Sequence, residues 1–201
     1  MPNHHLLSSS KIIARQSWVH GKLYDTGFGY PAAVLTTTGK AGRDPSKVKC
    51  VYGELYEVSL HVLCQLDDLE GYREESDHND YDRIRGHVFT DAGSHEAYVY
   101  VYPKKNAEGL ARIPSGDWKC HLYLARPKRL YFAYGSCMDD QRFHRDGVAH
   151  LFRNMVGRGV LTGFSLRFTH RSYDGGRADI VEIGGRVEGK VYRVNREAMA
   201  Y

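Results

Sequence analysis

No run in this sequence approaches the roughly 18 apolar residues that a membrane-spanning helix needs, which excludes a helical membrane protein. The N-terminus, Met1-Pro2-Asn3-His4-His5, has neither the basic segment nor the apolar core of a signal peptide. Cysteine is sparse and scattered, at Cys50, Cys64, Cys120 and Cys137. No two form a C-x-x-C pair, so nothing supports a zinc ribbon or a thioredoxin-type site, and lone thiols fit a reducing cytoplasm. The histidines, eleven in all, include no H-E-x-x-H and no Cys/His ligand cluster. His144 and His150 are six apart and do not stack on one helical face. No metal site is expected.

What is present is ordinary for a soluble globular protein. The 201 residues are 42% hydrophobic and 26% charged, too apolar for a disordered chain, and the length suits one large domain or two of about 100 residues. The net charge of +4 is unevenly placed: residues 1–125 carry 14 basic and 16 acidic side chains, residues 126–201 carry 14 and 8. The basic residues of the second part are dispersed through strand-like segments and form no block. A solvated sheet surface is expected, with no nucleic-acid partner.

Hydrophobic periodicity predicts strands over 19–24, 32–36, 51–58, 130–134, 159–169, 178–183 and 187–194, and a hairpin of 81–90 with 96–102 turning at 91–94. Residues 37–47 and 103–118 read as loops. Ser59 is placed to cap a helix through Leu60, Leu63, Leu66 and Leu69, with Gly71 as its stop. Residues 118–124 form a short amphipathic segment. Asp139 and Asp140 open a second helical stretch, and Asn195 caps the start of a third. Residues 126–129, Arg-Pro-Lys-Arg, read as a linker.

Two stretches repeat. Val51-Tyr52-Gly53-Glu54-Leu55-Tyr56-Glu57-Val58 aligns with Val187-Glu188-Gly189-Lys190-Val191-Tyr192-Arg193-Val194, and Gly21-Lys22-Leu23 falls opposite Gly163-Phe164-Ser165. Self-similarity in the same order marks a duplicated unit. Projecting each copy onto the other leaves the first without its opening strand and the second without its later strands. The expected organisation is a first domain over 1–125, the linker, and the N-terminal part of a second domain over 130–201.

Tyr131-Phe132-Ala133-Tyr134-Gly135-Ser136-Cys137-Met138 resembles the opening motif F-x-Y-G-S-N-[LM] of the γ-glutamylcyclotransferase-like superfamily. Val51-Tyr52-Gly53-Glu54-Leu55-Tyr56 is similar to its V-x-G-x-[LV]-[YW] strand, and Leu66-Asp67-Asp68-Leu69-Glu70-Gly71 to its L-D-x-x-E-G helix end. Asn3-His4-His5-Leu6-Leu7 and the stretch from Tyr24 through Pro31-Ala32-Ala33-Val34 resemble the plant avirulence-induced branch. The resemblance implies an α+β fold, a small mixed β-barrel with flanking helices, here as two incomplete copies. It implies an enzyme, a transferase or lyase, that cyclises a γ-glutamyl amine or amide to 5-oxoproline and releases the amine. The partner would be that small molecule, with no cofactor and no membrane, in the cytoplasm; the oligomeric state is not implied. A non-catalytic binding or regulatory module, or an inactive piece of a two-domain enzyme, remains the alternative.

Carried over residue by residue, Glu70 stands where the superfamily has its general acid/base. A carboxylate at a helix C-terminus faces an unfavourable dipole, which with burial raises its pKa towards a useful value; a solvated helix-end Glu is the bland reading. Tyr134, Gly135, Ser136, Cys137 and Met138 form the candidate substrate loop, with backbone N–H groups suited to a carboxylate or oxyanion. Cys137 stands where the motif has Asn. Tyr81 and Arg83 resemble the Y-x-R that follows the Glu helix, Arg83 as a bidentate carboxylate anchor or as a surface ion pair. Tyr98, Tyr100 and Tyr102 alternate along one sheet face.

Overall fold

The structure, a computed structural model, describes residues 2–36, 49–172 and 175–200. The loop expected over 37–47 lies outside the described residues. The fold is α+β, mostly strands with few helices, and it divides into two compact units, Met1–His121 and Leu122–Tyr201.

The first unit is organised by one long strand, β1 (Lys11–Asp25). Ser17, Val19, Gly21 and Leu23 point inward and alternate with Trp18, His20, Lys22 and Tyr24, the period-2 signature of a strand buried on one face. The sequence shows only the second half of β1, because register shifts between Ile12, Ala14 and Ser17 break the alternation upstream. β1 pairs antiparallel with β2 (Pro31–Leu35), β3 (Cys50–Glu57), β4 (Asp82–Thr90) and β6 (Ala111–Ile113), and β4 pairs with β5 (Gly93–Val101) around a tight turn at Asp91 and Ala92. The end of β5 meets β2 through a bond from Tyr102 N–H to the Ala33 carbonyl, 2.7 Å. The ladders among the described residues do not close into a ring. The inward face holds Val19, Leu23, Val51, Val88, Ile113 and Trp118.

Helix α1 (Leu60–Leu69) follows β3, with Ser59 Oγ accepting from Val62 N–H at 3.3 Å. This matches the expected cap and stop. Residues 118–124 form α2 (Trp118–Leu124), anchored where Asp117 Oδ1 accepts from Cys120 N–H.

The second unit has a three-stranded antiparallel sheet, β7 (Arg129–Ala133), β11 (Arg186–Val194) and β8 (Met155–Thr162), with β11 central. The strand expected over 159–169 is broken: Gly163 adopts φ +89, a left-handed conformation open to glycine, and the chain restarts as β9 (Ser165–Ser172), which pairs with β10 (Gly175–Val181). Helix α3 (Asp140–Arg145) is capped by Asp139 as expected. Asn195 Oδ1 accepts from Ala198 N–H, but over a turn rather than a helix. The core gathers Ala133, Phe143, Phe152, Tyr192, Val194 and Ala198, with the Phe143 and Phe152 rings stacked at 4.1 Å.

Residues 126–129 lie in this second unit, and Arg129 is buried, only 3% exposed. Its Nε donates to the Tyr123 carbonyl at 3.2 Å and its Nη2 to the Leu124 carbonyl, while Nη1 has no hydrogen-bond partner among the described residues. The guanidinium thus closes the C-terminal end of α2 with the charge complementary to a helix C-terminus. Arg129→Ala is expected to cost about 2 kcal/mol, from the loss of charge-assisted bonds to two carbonyls. Arg129→Met should recover part of that, because its stem refills the space. Urea denaturation of both variants checks the order.

Candidate functional site

The chemistry-bearing residues of the first unit gather where α1 ends. Glu70 is the C-terminal residue of the turn, with φ −86 and ψ 2, and its N–H still bonds the Leu66 carbonyl at 2.9 Å. Gly71 then takes φ +64, and a Cβ there would stand 2.7 Å from Asp80 Oδ2. The left-handed φ is what requires glycine. Tyr72 N–H returns to the Asp67 carbonyl at 2.8 Å, and Tyr81 N–H bonds the Glu70 carbonyl at 3.2 Å. The segment between is thereby folded back, so that Asp80 and Tyr81 lie beside Glu70.

The Glu70 side chain is half-buried and makes no hydrogen bond or ion pair among the described residues. Burial pushes its pKa above the ordinary carboxylate value. Tyr81 donates its hydroxyl to the Pro31 carbonyl at 2.6 Å. Its pKa is driven far up by burial, then by the nearby charge of Glu70 and by Tyr30, Tyr102 and Asp80. The Tyr81 ring meets Tyr102 edge-on at 5.3 Å and Tyr30 at 6.4 Å. Glu70 is therefore a half-buried carboxyl group beside Tyr81, whose ring packs in turn against Tyr30 and Tyr102.

Arg83 follows Tyr81 by two residues, in β4, and its charge is already engaged. Its Nη1 donates to Asp67 Oδ2, with side chains only 14% and 17% exposed. The guanidinium lies over the rings of Tyr72 at 4.8 Å and Tyr98 at 4.6 Å, and Tyr100 donates its hydroxyl to Asp67 Oδ1 at 2.8 Å. Tyr98 and Tyr100 thus serve the sheet face and this ion pair. Asp67 lies one helical turn before Glu70, so the pair ties the end of α1 to β4. Sequence reasoning singled out neither Tyr30, Asp67 nor Asp80 as a site residue. The signals were present: Asp67 within L-D-x-x-E-G, and Tyr30 beside Gly27 and Gly29.

The substrate loop expected over 134–138 lies in the second unit. Beyond β7, Gly135 has φ −133 and ψ −135, and a Cβ there would stand 3.2 Å from Ala178. Its φ is not left-handed, so close approach rather than handedness is what the glycine serves. Ser136, Cys137 and Met138 form a 3-10 turn in which Met138 N–H bonds the Gly135 carbonyl at 2.9 Å. Lys190 Nζ donates to the Met138 carbonyl at 2.8 Å and to Asp140 Oδ1 at 3.0 Å. Cys137 is half-buried and packs against the core of this unit, beside Tyr131, whose pKa is pushed up chiefly by burial. Tyr134 is half-buried, with its pKa raised by burial. Glu70 and Tyr81 are thus brought together in the first unit, where Arg83 is held by Asp67 instead, and Tyr134, Gly135, Ser136, Cys137 and Met138 lie in the second. Among the described residues no cluster of His, Cys, Asp or Glu could hold a metal, and no helix is long and apolar enough to cross a membrane.

A half-buried carboxyl group with no ion pair among the described residues, beside a tyrosine on a strand-rich α+β unit, is a candidate acid/base site. The family model "Gamma-glutamyl cyclotransferase, AIG2-like" matches residues 1–120, and the chain belongs to that family. The chain is 38% identical over 202 residues to "Putative gamma-glutamylcyclotransferase YkqA" of Bacillus subtilis, covering 99% of this chain and 66% of that protein. It is 42% identical over 104 residues to "Putative gamma-glutamylcyclotransferase BH1612" of Halalkalibacterium halodurans, 52% of this chain and 83% of that one. A third relative, "Gamma-L-glutamyl-butirosin B gamma-glutamyl cyclotransferase" of Niallia circulans, is 33% identical over 118 residues, 58% of this chain and 67% of that one. The crystal structure of YkqA superposes with a TM-score of 0.78 at 36% identity, covering 99% of this chain and 65% of that one. The chain thus spans about two thirds of the length of YkqA.

Proposed function

We propose that this protein cyclises a γ-glutamyl amine to 5-oxoproline and releases the amine, with Glu70 carrying the proton. The observation that supports it most is the Glu70 carboxyl group, half-buried and unpartnered beside Tyr81. In the reaction the substrate's α-amino nitrogen attacks its own γ-carbonyl carbon and the ring C–N bond forms. Glu70 accepts the proton leaving the α-amine and returns it to the departing nitrogen as the original amide C–N bond breaks. One carboxyl group serves as base and then as acid, and no water is consumed. A pKa raised by burial suits both halves of that cycle. This proton transfer calls for no cofactor. The cytoplasm, where γ-glutamyl compounds and reduced thiols coexist, is the proposed location.

We further propose that the chain holds two copies of the family's fold, each a small barrel in its complete form. Ladder registers support this. Val51 lies opposite Val19 and Gly53 opposite Ser17; Val187 lies opposite Leu161 and Gly189 opposite Gly159. Downstream partners are separated by 136 residues and upstream partners by 142, the offsets of the sequence repeat. The glycines extend the comparison. A Cβ on Gly189 would stand 2.2 Å from the Ala133 carbonyl oxygen and 2.8 Å from the Phe132 ring, because β7 is pressed against it. A Cβ on Gly53 meets nothing within 4 Å, and β3 pairs only with β1 among the described residues. Tyr52 N–H bonds the Gly116 carbonyl at 2.8 Å, but from Gly53 onward the edge of β3 has the notch that suits a β7-like strand.

Gly189→Ala is expected to destabilise the second unit by about 1–3 kcal/mol, the usual cost of overpacking. Gly53→Ala, in the protein expressed from its complete reading frame, should cost a similar amount if a β7-like strand seats there. Chemical denaturation of the two variants side by side reads this, and a neutral Gly53→Ala would remove the support for a filled slot.

In the second unit, the engaged Met138 carbonyl and the Cys137 thiol in place of Asn support a non-catalytic role for that copy. The decisive assay is 5-oxoproline release from a γ-glutamyl amine by the protein from its complete reading frame. Activity unaffected by Glu70→Gln would defeat the acid/base assignment.

A further inference from the structure

A cavity of about 170 Å³ opens in the first unit where β1 changes partner. β1 pairs with β3 as far as His20 and with β6 from Leu23 onward. The cavity lies at that change. β1 contributes Lys22, the start of β3 contributes Lys49, Cys50 and Tyr52, and β6 with the turn after it contributes Arg112 and Gly116. Backbone bonds fix its sides. Gly21 N–H bonds the Lys49 carbonyl at 2.9 Å, and Tyr52 N–H bonds the Gly116 carbonyl at 2.8 Å. Gly116 takes φ +67, and a Cβ there would collide with the Cys50 carbonyl oxygen, so the turn is pressed directly onto the strand.

The charged residues that line this cavity are all cations. Lys22, Lys49 and Arg112 make no ion pair or side-chain hydrogen bond among the described residues. Other cations of the same unit are engaged: Lys11 with Glu57, Arg85 with Glu96, Lys119 with Glu54. No carboxylate lines the cavity. The charge of Asp117 reaches the Tyr52 hydroxyl, but its Oδ1 accepts from Cys120 N–H at 2.9 Å. Like charges that share a cavity repel one another, and an anion placed among them relieves that repulsion. A single carboxylate offsets one of the three. A phosphoryl dianion offsets two, and its oxygens can accept from both ammonium groups and from the guanidinium fork.

We infer that Lys22, Lys49 and Arg112 bind the phosphoryl dianion of a small molecule. The inference goes beyond the cyclotransferase reading and does not rest on it, since neither Glu70 nor Tyr81 lines the cavity. Tyr52, 43% exposed at the cavity, offers a ring to whatever the phosphoryl group is attached to.

Calorimetric titration of the protein expressed from its complete reading frame, in phosphate-free buffer of low ionic strength, tests this with four probes. Inorganic phosphate or AMP should bind saturably, and adenosine and succinate should bind at least about tenfold more weakly. AMP tighter than phosphate, with the advantage lost in Tyr52→Ala, assigns a phosphate ester; phosphate as tight as AMP assigns the free ion. Lys22→Gln and Arg112→Gln replace exposed side chains and should each weaken binding by about tenfold, with urea midpoints unchanged. Lys104→Gln, an exposed cation outside the cavity, should change affinity by less than about twofold. No saturable binding of either phosphate or AMP would overturn the inference. So would succinate binding as tightly as phosphate, or Lys104→Gln weakening binding as much as Arg112→Gln, which would mark a response to surface charge alone.

Discussion

Glu70→Gln should lower 5-oxoproline release by about 10²- to 10⁴-fold, the range spanned by a positioned general acid/base, while leaving the protein folded and more resistant to heat at neutral pH. The stability half of this expectation follows from the direction of the Glu70 pKa. Burial raises it in the folded state, so the folded protein binds that proton more readily than the unfolded chain. Stability from this group is therefore complete at low pH and is lost as pH rises through the raised pKa. Above its raised pKa the wild-type side chain is a desolvated carboxylate, and a neutral amide of the same shape removes that penalty. Thermal unfolding at pH 7 should show a higher Tm for Glu70→Gln, with the difference disappearing as pH falls into the ordinary carboxylate range. Wild-type turnover should decline over the same acidic interval, because the base form is lost. A substitution that abolishes activity and also lowers Tm would point to a structural carboxylate instead.

Asp67→Ala is expected to cost about 2–4 kcal/mol of folding stability, somewhat below the figure for removing one partner of a fully buried ion pair because some water reaches this one. It would strand the Arg83 guanidinium between the Tyr72 and Tyr98 rings and leave the Tyr100 hydroxyl without its acceptor. Replacing both partners, Asp67→Leu with Arg83→Met, should recover most of the loss, since no charge is then left unpaired. Urea midpoints of the single and double variants measure this. A single-variant cost below about 0.5 kcal/mol, the range of exposed pairs, would show that Arg83 is not held by Asp67. That result would return Arg83 to candidacy as a substrate anchor.

The contrast between Glu70 and Arg83 shows what was legible in the sequence. Helix α1, its Ser59 cap, its Gly71 stop and the carboxylate between them follow from local rules: a 3.6-residue apolar period, a hydroxyl at the N-cap and a glycine where the chain turns left-handed. The partner of Arg83 is not local. Asp67 lies sixteen residues away on another element, and only the pairing of β4 with β5 brings Tyr98 and Tyr100 to the same face. Likewise Tyr30 and Tyr102 come from a turn and a strand end that meet Tyr81 only after folding. The first half of β1 was hidden because its register shifts disrupt the alternation that marks a strand. The reading of 159–169 as one strand missed Gly163, where the left-handed φ ends β8. The duplicated V-x-G segments were visible as letters, but the differing surroundings of Gly53 and Gly189 were not.

The central claim is intramolecular attack, and the identity of the product made in ¹⁸O-labelled water tests it most directly. Cyclisation at the Glu70 site uses the substrate's own amine, so the protein expressed from its complete reading frame should convert a γ-glutamyl amine to unlabelled 5-oxoproline. Glutamate carrying ¹⁸O in its γ-carboxylate would mean that water, not the α-amine, attacks the carbonyl, and would contradict the account.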